Sequence, residues 1–123
     1  LRNIDFWINQ RISAGKHYDE SFSSIKGIEL LDNSNSTFNY YSLLIKDGKR
    51  DDFKQYLDTK GISSAIYYPR TLPSLPAHGI DESFPVAEKA SEEIISIPIW
   101  PNIKQKQLEY VTKTIKEYFD YKN

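Results

Sequence analysis

The spacing of the prolines is the feature that most restricts how this chain can fold. All six prolines lie within one stretch, at positions 69, 73, 76, 85, 98 and 101. The first three are too close together for a helix or strand to pass through them, because proline lacks an N–H donor and fixes φ. The fourth suits the first turn of a helix, and the fifth follows a short apolar run. The prolines therefore predict a rigid loop, a helix over 85–93 and a strand over 94–97.

The first 26 residues carry a helical pattern of large side chains. Spacings of three and four place one stripe along a long helix, which Gly27 is expected to end. The stripe consists of Ile4, Trp7, Ile8, Ile12, Gly15, Tyr18 and Phe22. The chain contains no methionine, even at position 1, and no capping residue precedes the helix. We therefore expect a fragment of a longer protein.

Alternation of apolar and polar residues predicts the strands between the first helix and the prolines. Residues over 39–46 alternate between two faces, which is typical of a central strand. One face carries Tyr41, Leu43 and Ile45, and the other carries Tyr40, Ser42 and Leu44. Shorter apolar runs predict strands over 27–31 and 62–67.

Two further helices complete the prediction. One follows a turn at Asp47-Gly48, ends at Gly61 as a left-handed cap, and buries Phe53, Tyr56 and Leu57. The other is expected to begin with Asn102 as N-cap and Gln105 three residues later. It buries Leu108, Val111, Ile115 and Phe119.

The order helix, strand, strand, helix, strand, helix, strand, helix predicts a small two-layer α/β sandwich. A short, mixed or mainly antiparallel sheet of three or four strands would be covered by helices. The 123 residues and 14.3 kDa suit a single domain of this kind.

Composition and motifs exclude several classes of function. Sixteen basic residues against 17 acidic ones leave a net charge of −1, so the electrostatic footprint of a nucleic-acid binder is absent. No apolar run approaches the roughly 20 residues of a membrane-spanning helix. The absence of cysteine excludes disulfides, thiolate metal sites and cysteine nucleophiles.

His17 and His78 lack ligand spacing, so no metal site is expected. Adjacent acids such as Glu92 and Glu93 are interpreted as solvated helix ends.

The segment Tyr67-Tyr68-Pro69-Arg70 is the candidate binding site. Two tyrosines leaving a strand would place one ring on each face, and the proline would present Arg70 from a stiff loop that could contact a polar ligand. In the alternative interpretation one tyrosine packs in the core and the other covers a loop. A protein interface is a third possibility, since tyrosine and arginine are enriched at such surfaces.

The order of five short motifs resembles the C-terminal part of the DegT/DnrJ/EryC1/StrS family. The motifs are RDDF at 50–53, KGI at 60–62, YYP at 67–69, FPVAEKA at 84–90 and ISIPIWP at 95–101. The first helix is similar to the family's long helix between the large and small domains. The resemblance thus divides the chain into an interdomain helix over 1–26 and an α/β small domain over 27–123, with the catalytic N-terminal domain absent.

The resemblance implies a parent enzyme that uses pyridoxal 5'-phosphate to transfer an amino group from an amino donor to a nucleotide-linked keto sugar. Such a parent would be cytoplasmic and homodimeric, with neither nucleic acid nor membrane as partner. The large domain would supply the lysine that forms the aldimine, so no catalytic or cofactor-binding residue is assigned here. The fragment itself is expected to be inactive and to bind no cofactor. Lys46, Lys54 and Lys89 match no Schiff-base motif of the family and are expected to be surface charges.

The same resemblance gives the tyrosine segment its expected role. The family commonly has His-Tyr or Tyr-Tyr before proline where the sugar approaches, so Tyr67, Tyr68 and Arg70 are the expected substrate-binding residues. Tyr67 would face the substrate with Tyr68 behind it, and Arg70 would either face a diphosphate or stand exposed on the loop. Pro73 occupies the position of a histidine found in many members. Two alternatives remain open: other pyridoxal-phosphate chemistry on a cyclic ketone, and a non-catalytic interaction module.

Overall fold

The computed structural model describes residues 2–78 and 82–122, which form a three-stranded antiparallel sheet and four helices. The elements run in the order α1 (Ile4–Phe22), β1 (Ile28–Leu30), β2 (Tyr41–Ile45), α2 (Arg50–Thr59), α3 (Pro85–Glu93), β3 (Ile94–Ile97) and α4 (Gln105–Lys122). The predicted α/β class with a short antiparallel sheet is confirmed.

Strand β2 is the central strand, as its alternation predicts. The sheet order is β1-β2-β3, with Ile28 opposite Ile45 and Leu43 opposite Ile95. Tyr41, Leu43 and Ile45 on one face of β2 are buried, because residues of the helices pack against that face. The other face of β2 carries Ser42, whose hydroxyl lies 2.7 Å from that of Ser96.

Several aromatic side chains lie in the core between the sheet and the helices. Tyr18 of α1 and Tyr41 of β2 are fully buried, and their ring centroids lie 4.9 Å apart. The ring centroid of Phe53 in α2 lies 5.0 Å from that of Tyr118 and 5.6 Å from that of Phe119, both in α4. The predicted buried stripe of the last helix is confirmed. Large rings bury much apolar area each, which is how three short strands acquire a sufficient core.

Glycine in the left-handed region ends α2 as predicted. Gly61 has φ +70, its N–H donates to Asp58 O at 3.1 Å, and the N–H of Ile62 donates to Leu57 O at 2.9 Å. These two bonds form a Schellman motif, which satisfies the last carbonyls of the helix. The predicted turn before α2 is also confirmed, with Asp47 and Gly48 both at positive φ.

The predicted strand over 62–67 is wrong. The segment pairs with the sheet only at Ala65, which exchanges two backbone hydrogen bonds with Ser96 at 3.0 and 2.7 Å. A longer antiparallel ladder would next use the N–H groups of residues 98 and 94. Pro98 has no N–H, and the N–H of Ile94 already donates to Ala90 O at the end of α3. The ladder is therefore blocked on both sides of a single bridge.

The start of the last helix also differs from the prediction. Asn102 has φ 64, which is not the conformation of an N-cap, and α4 begins at Gln105. The N–H of Lys104 instead donates to Gln107 Oε1 at 3.0 Å. This is one half of a capping box, shifted two residues along the chain.

Three expectations for side chains and helix ends are corrected. Ile4 and Trp7 are 44% and 43% exposed, so the first turns of α1 do not join the core of the described residues. The helix ends at Phe22, and Gly27 belongs to the following turn, where its carbonyl accepts from the N–H of Lys46. Glu93 is buried rather than solvated, because it pairs with Lys46.

Candidate functional site

The tyrosine segment crosses the surface directly after the Ala65 bridge. Tyr67 is 43% exposed and Tyr68 is 74% exposed, and their ring centroids lie 5.8 Å apart across a cis peptide bond. The rings therefore contact each other rather than occupying opposite faces, since the segment is not a strand. The alternative with one tyrosine in the core is wrong as well, because neither ring is buried.

A shallow groove of about 420 Å³ brings together all three predicted binding residues. Its lining is mostly apolar and consists of Tyr67, Tyr68, Arg70, Thr71, Leu72, Pro73, Phe84, Ala87, Ala90, Ser91 and Ile94. We call it the tyrosine groove. Arg70 is the only charged side chain among these described lining residues. The groove thus combines aromatic faces, hydroxyl groups and one cation, a combination that suits a ligand with both a ring and an anionic group.

A second groove, of about 250 Å³, lies on the other side of Tyr67 and was missed by the sequence analysis. Tyr40 and Trp100 contribute rings to it, and the ring of Tyr40 lies 5.0 Å from that of Tyr67. Serine hydroxyls and an amide make it more polar, its other lining residues being Asn39, Ser63, Ser64, Ala65, Ser96, Ile97, Pro98 and Ile99. The alternation over 39–46 already placed Tyr40 on the face opposite Tyr41, but the sequence pattern does not indicate that Tyr67 lies beside Tyr40.

Helix α3 forms one wall of the tyrosine groove through Ala87, Ala90 and Ser91. Its first turn is capped locally, because the N–H of Phe84 donates to Glu88 Oε1 at 2.8 Å. Its last turn is held by Arg50, whose Nη1 donates to Ser91 O at 2.8 Å and to Ile94 O at 3.4 Å.

An ion-pair cluster lies at the same end of α3. Lys46 Nζ is 2.8 Å from Glu93 Oε2 and 2.5 Å from Glu29 Oε2. The hydrogen bond and charge of Lys46 lower the pKa of Glu29, and the hydrogen bonds that Lys46 donates to both carboxylates raise its own pKa. Lys46 is thus a structural ion-pair residue that joins β1 to α3, rather than a simple surface charge.

The described lining of the tyrosine groove does not include the two groups that hold pyridoxal phosphate in an enzyme. That cofactor is held by a lysine imine and by an acid at its pyridine nitrogen. The lining of the tyrosine groove contains neither a lysine nor an acid among the residues described. Within the same residues no cluster of His, Asp and Glu could hold a metal ion, and His17 instead lies 3.2 Å from the Thr112 hydroxyl. None of the helices described is long and apolar enough to cross a membrane.

Solved structures share the fold of this chain. The aminotransferase TlmJ from Streptoalloteichus hindustanus superposes with a TM-score of 0.91 over 100% of this chain and 34% of its own, at 20% identity. DesV from S. venezuelae, solved with a ketimine intermediate, gives a TM-score of 0.88 over 98% of this chain and 34% of its own, at 23% identity. At these identities the likeness shows the fold alone, which is that of one part of a type I aminotransferase.

Sequence comparison then assigns the family. The profile of the DegT/DnrJ/EryC1/StrS aminotransferase family matches residues 1–116, and the chain belongs to this family. The pleiotropic regulatory protein of Geobacillus stearothermophilus is 30% identical over 95% of this chain and 33% of its own length. The erythromycin biosynthesis sensory transduction protein EryC1 of Saccharopolyspora erythraea is 29% identical over 94% of this chain and 33% of its own.

A third relative carries the name of a defined enzyme. The dTDP-3-amino-3,4,6-trideoxy-alpha-D-glucose transaminase of Streptomyces venezuelae is 25% identical over 96% of this chain and 32% of its own length. The chain therefore spans about a third of the length of these three curated relatives.

Proposed function

We propose that this chain is the C-terminal small domain of a pyridoxal-phosphate-dependent aminotransferase that aminates a nucleotide-linked keto sugar. In this proposal residues 1–26 form the helix between domains and residues 27–123 form the small domain. The observation that supports it best is the family match over residues 1–116. Relatives named as dTDP-sugar and UDP-sugar transaminases support the substrate class.

The tyrosine groove is the proposed substrate-facing surface. The faces of Tyr67 and Tyr68 offer apolar contact to a sugar ring, and their hydroxyls offer hydrogen bonds. The guanidinium of Arg70 supplies a positive charge for the diphosphate. Pro73 lines the groove where many members of the family have a histidine. The imidazole is therefore missing from this wall, and the side chain at position 73 offers only apolar contact.

The remaining requirements of the reaction are assigned to the longer protein. Its other domain would hold the cofactor, which supplies an electron sink when bound. This chain would close one wall of the cleft and contribute to a cytoplasmic homodimer. It would be inactive alone, because the lysine that binds the cofactor lies outside it.

The test uses the full-length protein and, in parallel, the 123-residue chain alone. The full-length protein should show a cofactor absorption band that shifts on addition of an amino donor. It should then aminate a dTDP-linked or UDP-linked keto sugar, as detected by mass spectrometry. The isolated chain should do neither. A full-length protein without a donor-responsive band would contradict the proposal.

A second candidate is a regulatory or interaction role without catalysis. Two of the relatives are named as a regulatory protein and a sensory transduction protein, which favours this candidate. It predicts a full-length protein that lacks a donor-responsive band. A band without amination of nucleotide-linked sugars would instead favour other pyridoxal-phosphate chemistry, for which free cyclic ketones are the substrates to assay.

A further inference from the structure

Arg50 ties the start of α2 to the end of α3. Its side chain is only 11% exposed, and its Nη1 reaches two backbone carbonyls, at residues 91 and 94. Its Nε donates to Asp51 Oδ1 at 2.6 Å, which fixes the plane of the guanidinium. Carbonyls in the last turn of a helix have no partner within the helix, so a cation at this place satisfies them and suits the helix dipole.

Helix α3 has little apolar burial to hold it in place. Of its nine residues only Glu93 is buried, and Val86 is 85% exposed. The Glu88 bonds at its first turn are local and do not attach it to the sheet. Helix α3 continues directly into β3 at Ile94, and two cations attach its last turn further: Arg50 binds the carbonyls and Lys46 binds the Glu93 carboxylate.

The position of α3 determines the shape of the tyrosine groove. Ala87, Ala90 and Ser91 line that groove together with Tyr67 and Tyr68, whereas Arg50 does not line it. We propose that Arg50 is a positioning residue: by clamping the last turn of α3, it sets the width of the groove and with it the affinity for substrate. This inference rests on the proposed function, because it takes the groove as the substrate site.

The geometry also explains why this residue is an arginine. A planar guanidinium presents several donors in fixed directions and serves two carbonyls and a carboxylate at once. Lysine at position 50 would keep the charge but lose this fork.

The test compares R50Q and R50K in the full-length protein, with K54Q as the matched control. Lys54 is also a cation of α2, but its partner is Asp58 on the same helix. In R50Q we expect amide hydrogen exchange over residues 87–94 to accelerate about tenfold and the KM for the keto sugar to rise about tenfold. The kcat and the KM for the amino donor should change less than about twofold, because the clamp acts on one wall of the sugar site. K54Q should match the wild type, and R50K should lie between.

Each outcome bears on the inference. Unchanged exchange over 87–94 in R50Q overturns it, and so does faster exchange with an unchanged KM for the sugar. If R50Q fails to fold, R50K carries the same two measurements. If the wild type converts no keto sugar, the proposed function fails and the clamp is judged by exchange alone, where acceleration supports it and no change overturns it.

Discussion

The ring of Phe38 occupies the space that a β-carbon at Gly15 would need. A β-carbon built at position 15 lies 2.5 Å from two carbons of that ring. Phe38 has little freedom to move away, because it is 3% exposed and its ring stacks on Tyr41 at 6.0 Å. The close approach of α1 to the loop before β2 therefore requires glycine in the middle of a helix.

Replacing Gly15 by alanine should destabilise the chain. Alanine in an exposed helix position is favoured over glycine by about 1 kcal/mol, but overpacking a core costs about 1–3 kcal/mol. We expect a net loss of up to about 2 kcal/mol in the free energy of unfolding, measured by denaturant titration. Ser13→Ala, at an exposed position of the same helix, should be nearly neutral.

A double variant tests the cause of that loss. If the clash with the ring is responsible, Gly15→Ala combined with Phe38→Leu should lose less stability than the sum of the two single variants. Simple additivity would assign the loss to something other than this contact.

Stability should fall in alkaline solution because of buried tyrosines. Burial raises the pKa of Tyr18 and Tyr41, and for Tyr41 the hydrogen bond to Asp19 adds to the effect. A raised pKa in the folded state gives stability that is complete below the unfolded pKa of about 10 and is lost as pH rises above it. Each such tyrosine contributes up to about 1.4 kcal/mol per pH unit to that decline.

Tyr18→Phe provides the measurement. It should cost about 1 kcal/mol at neutral pH, because the hydrogen bond to Pro98 O at 2.9 Å is lost. Above pH 10, however, its free energy of unfolding should decline less steeply than that of the wild type. Tyr121→Phe, which removes an exposed hydroxyl, is the control and should follow the wild-type slope. If the free energy of unfolding declined with the same slope above about pH 10 in all three proteins, Tyr18 would not contribute to the alkaline loss of stability.

Loss of Lys46 should leave a nearly buried carboxylate without its cation. Glu93 has a side chain only 11% exposed, so Lys46→Met should cost about 1–2 kcal/mol. Lys54→Met, which breaks an exposed pair within one helix, should cost about 0.3–0.5 kcal/mol. Adding Glu93→Gln to Lys46→Met should restore part of the lost stability, as measured by thermal unfolding. A larger loss in the double variant would mean that Glu93 does not depend on this lysine.

The ion-pair cluster also has a pH dependence with a definite sign. The pKa of Glu29 is lowered by Lys46, so its contribution is present above the ordinary value of 4.5 and is lost as pH falls through the lower folded value. The stability difference between wild type and Lys46→Met should therefore narrow in acid. In a Glu29→Gln background, the stability difference that Lys46→Met causes should narrow less in acid, because the carboxylate of Glu29 is no longer there to be protonated. Thermal unfolding followed by circular dichroism at several pH values measures this difference.

Arg70→Gln should weaken binding of the keto sugar by the full-length enzyme. Because Arg70 is the one charge among the described residues of the tyrosine groove, its removal should raise the KM for a diphosphate-linked sugar about tenfold. The effect should shrink at high salt, since an exposed charge is screened. Lys116→Gln, on the exposed side of α4, should leave the KM unchanged. An equal KM for Arg70→Gln and wild type would remove Arg70 from the binding site.

Local patterns predicted those elements whose partners lie within a few residues. The alternation in β2, the Schellman end of α2 and the buried stripe of α4 each depend on spacing that the sequence displays directly. The strand over 62–67 failed because its ladder depends on Pro98 and Ile94, some thirty residues away in sequence. Propensity cannot reveal that one of these partners lacks an N–H and that the other has already used its own.

The same distinction applies to the candidate site. The stiff tyrosine segment was visible as Tyr-Tyr-Pro-Arg. The second groove and the clamp on α3 were not, because Tyr40 and Arg50 reach their partners only through the tertiary fold. Arg50 is the first residue of the RDDF motif, but the motif does not indicate that its guanidinium would bind two backbone carbonyls about forty residues further along the chain.

Tyr67 lines both grooves, so the shapes of the two grooves depend on each other. A substitution that reshapes one groove at this residue reshapes the other at the same time. Selection for a new ligand on either side would therefore need compensating changes at residues that belong to only one groove, such as Leu72 or Trp100. Those positions, rather than residue 67, are where variation between the two surfaces can accumulate independently.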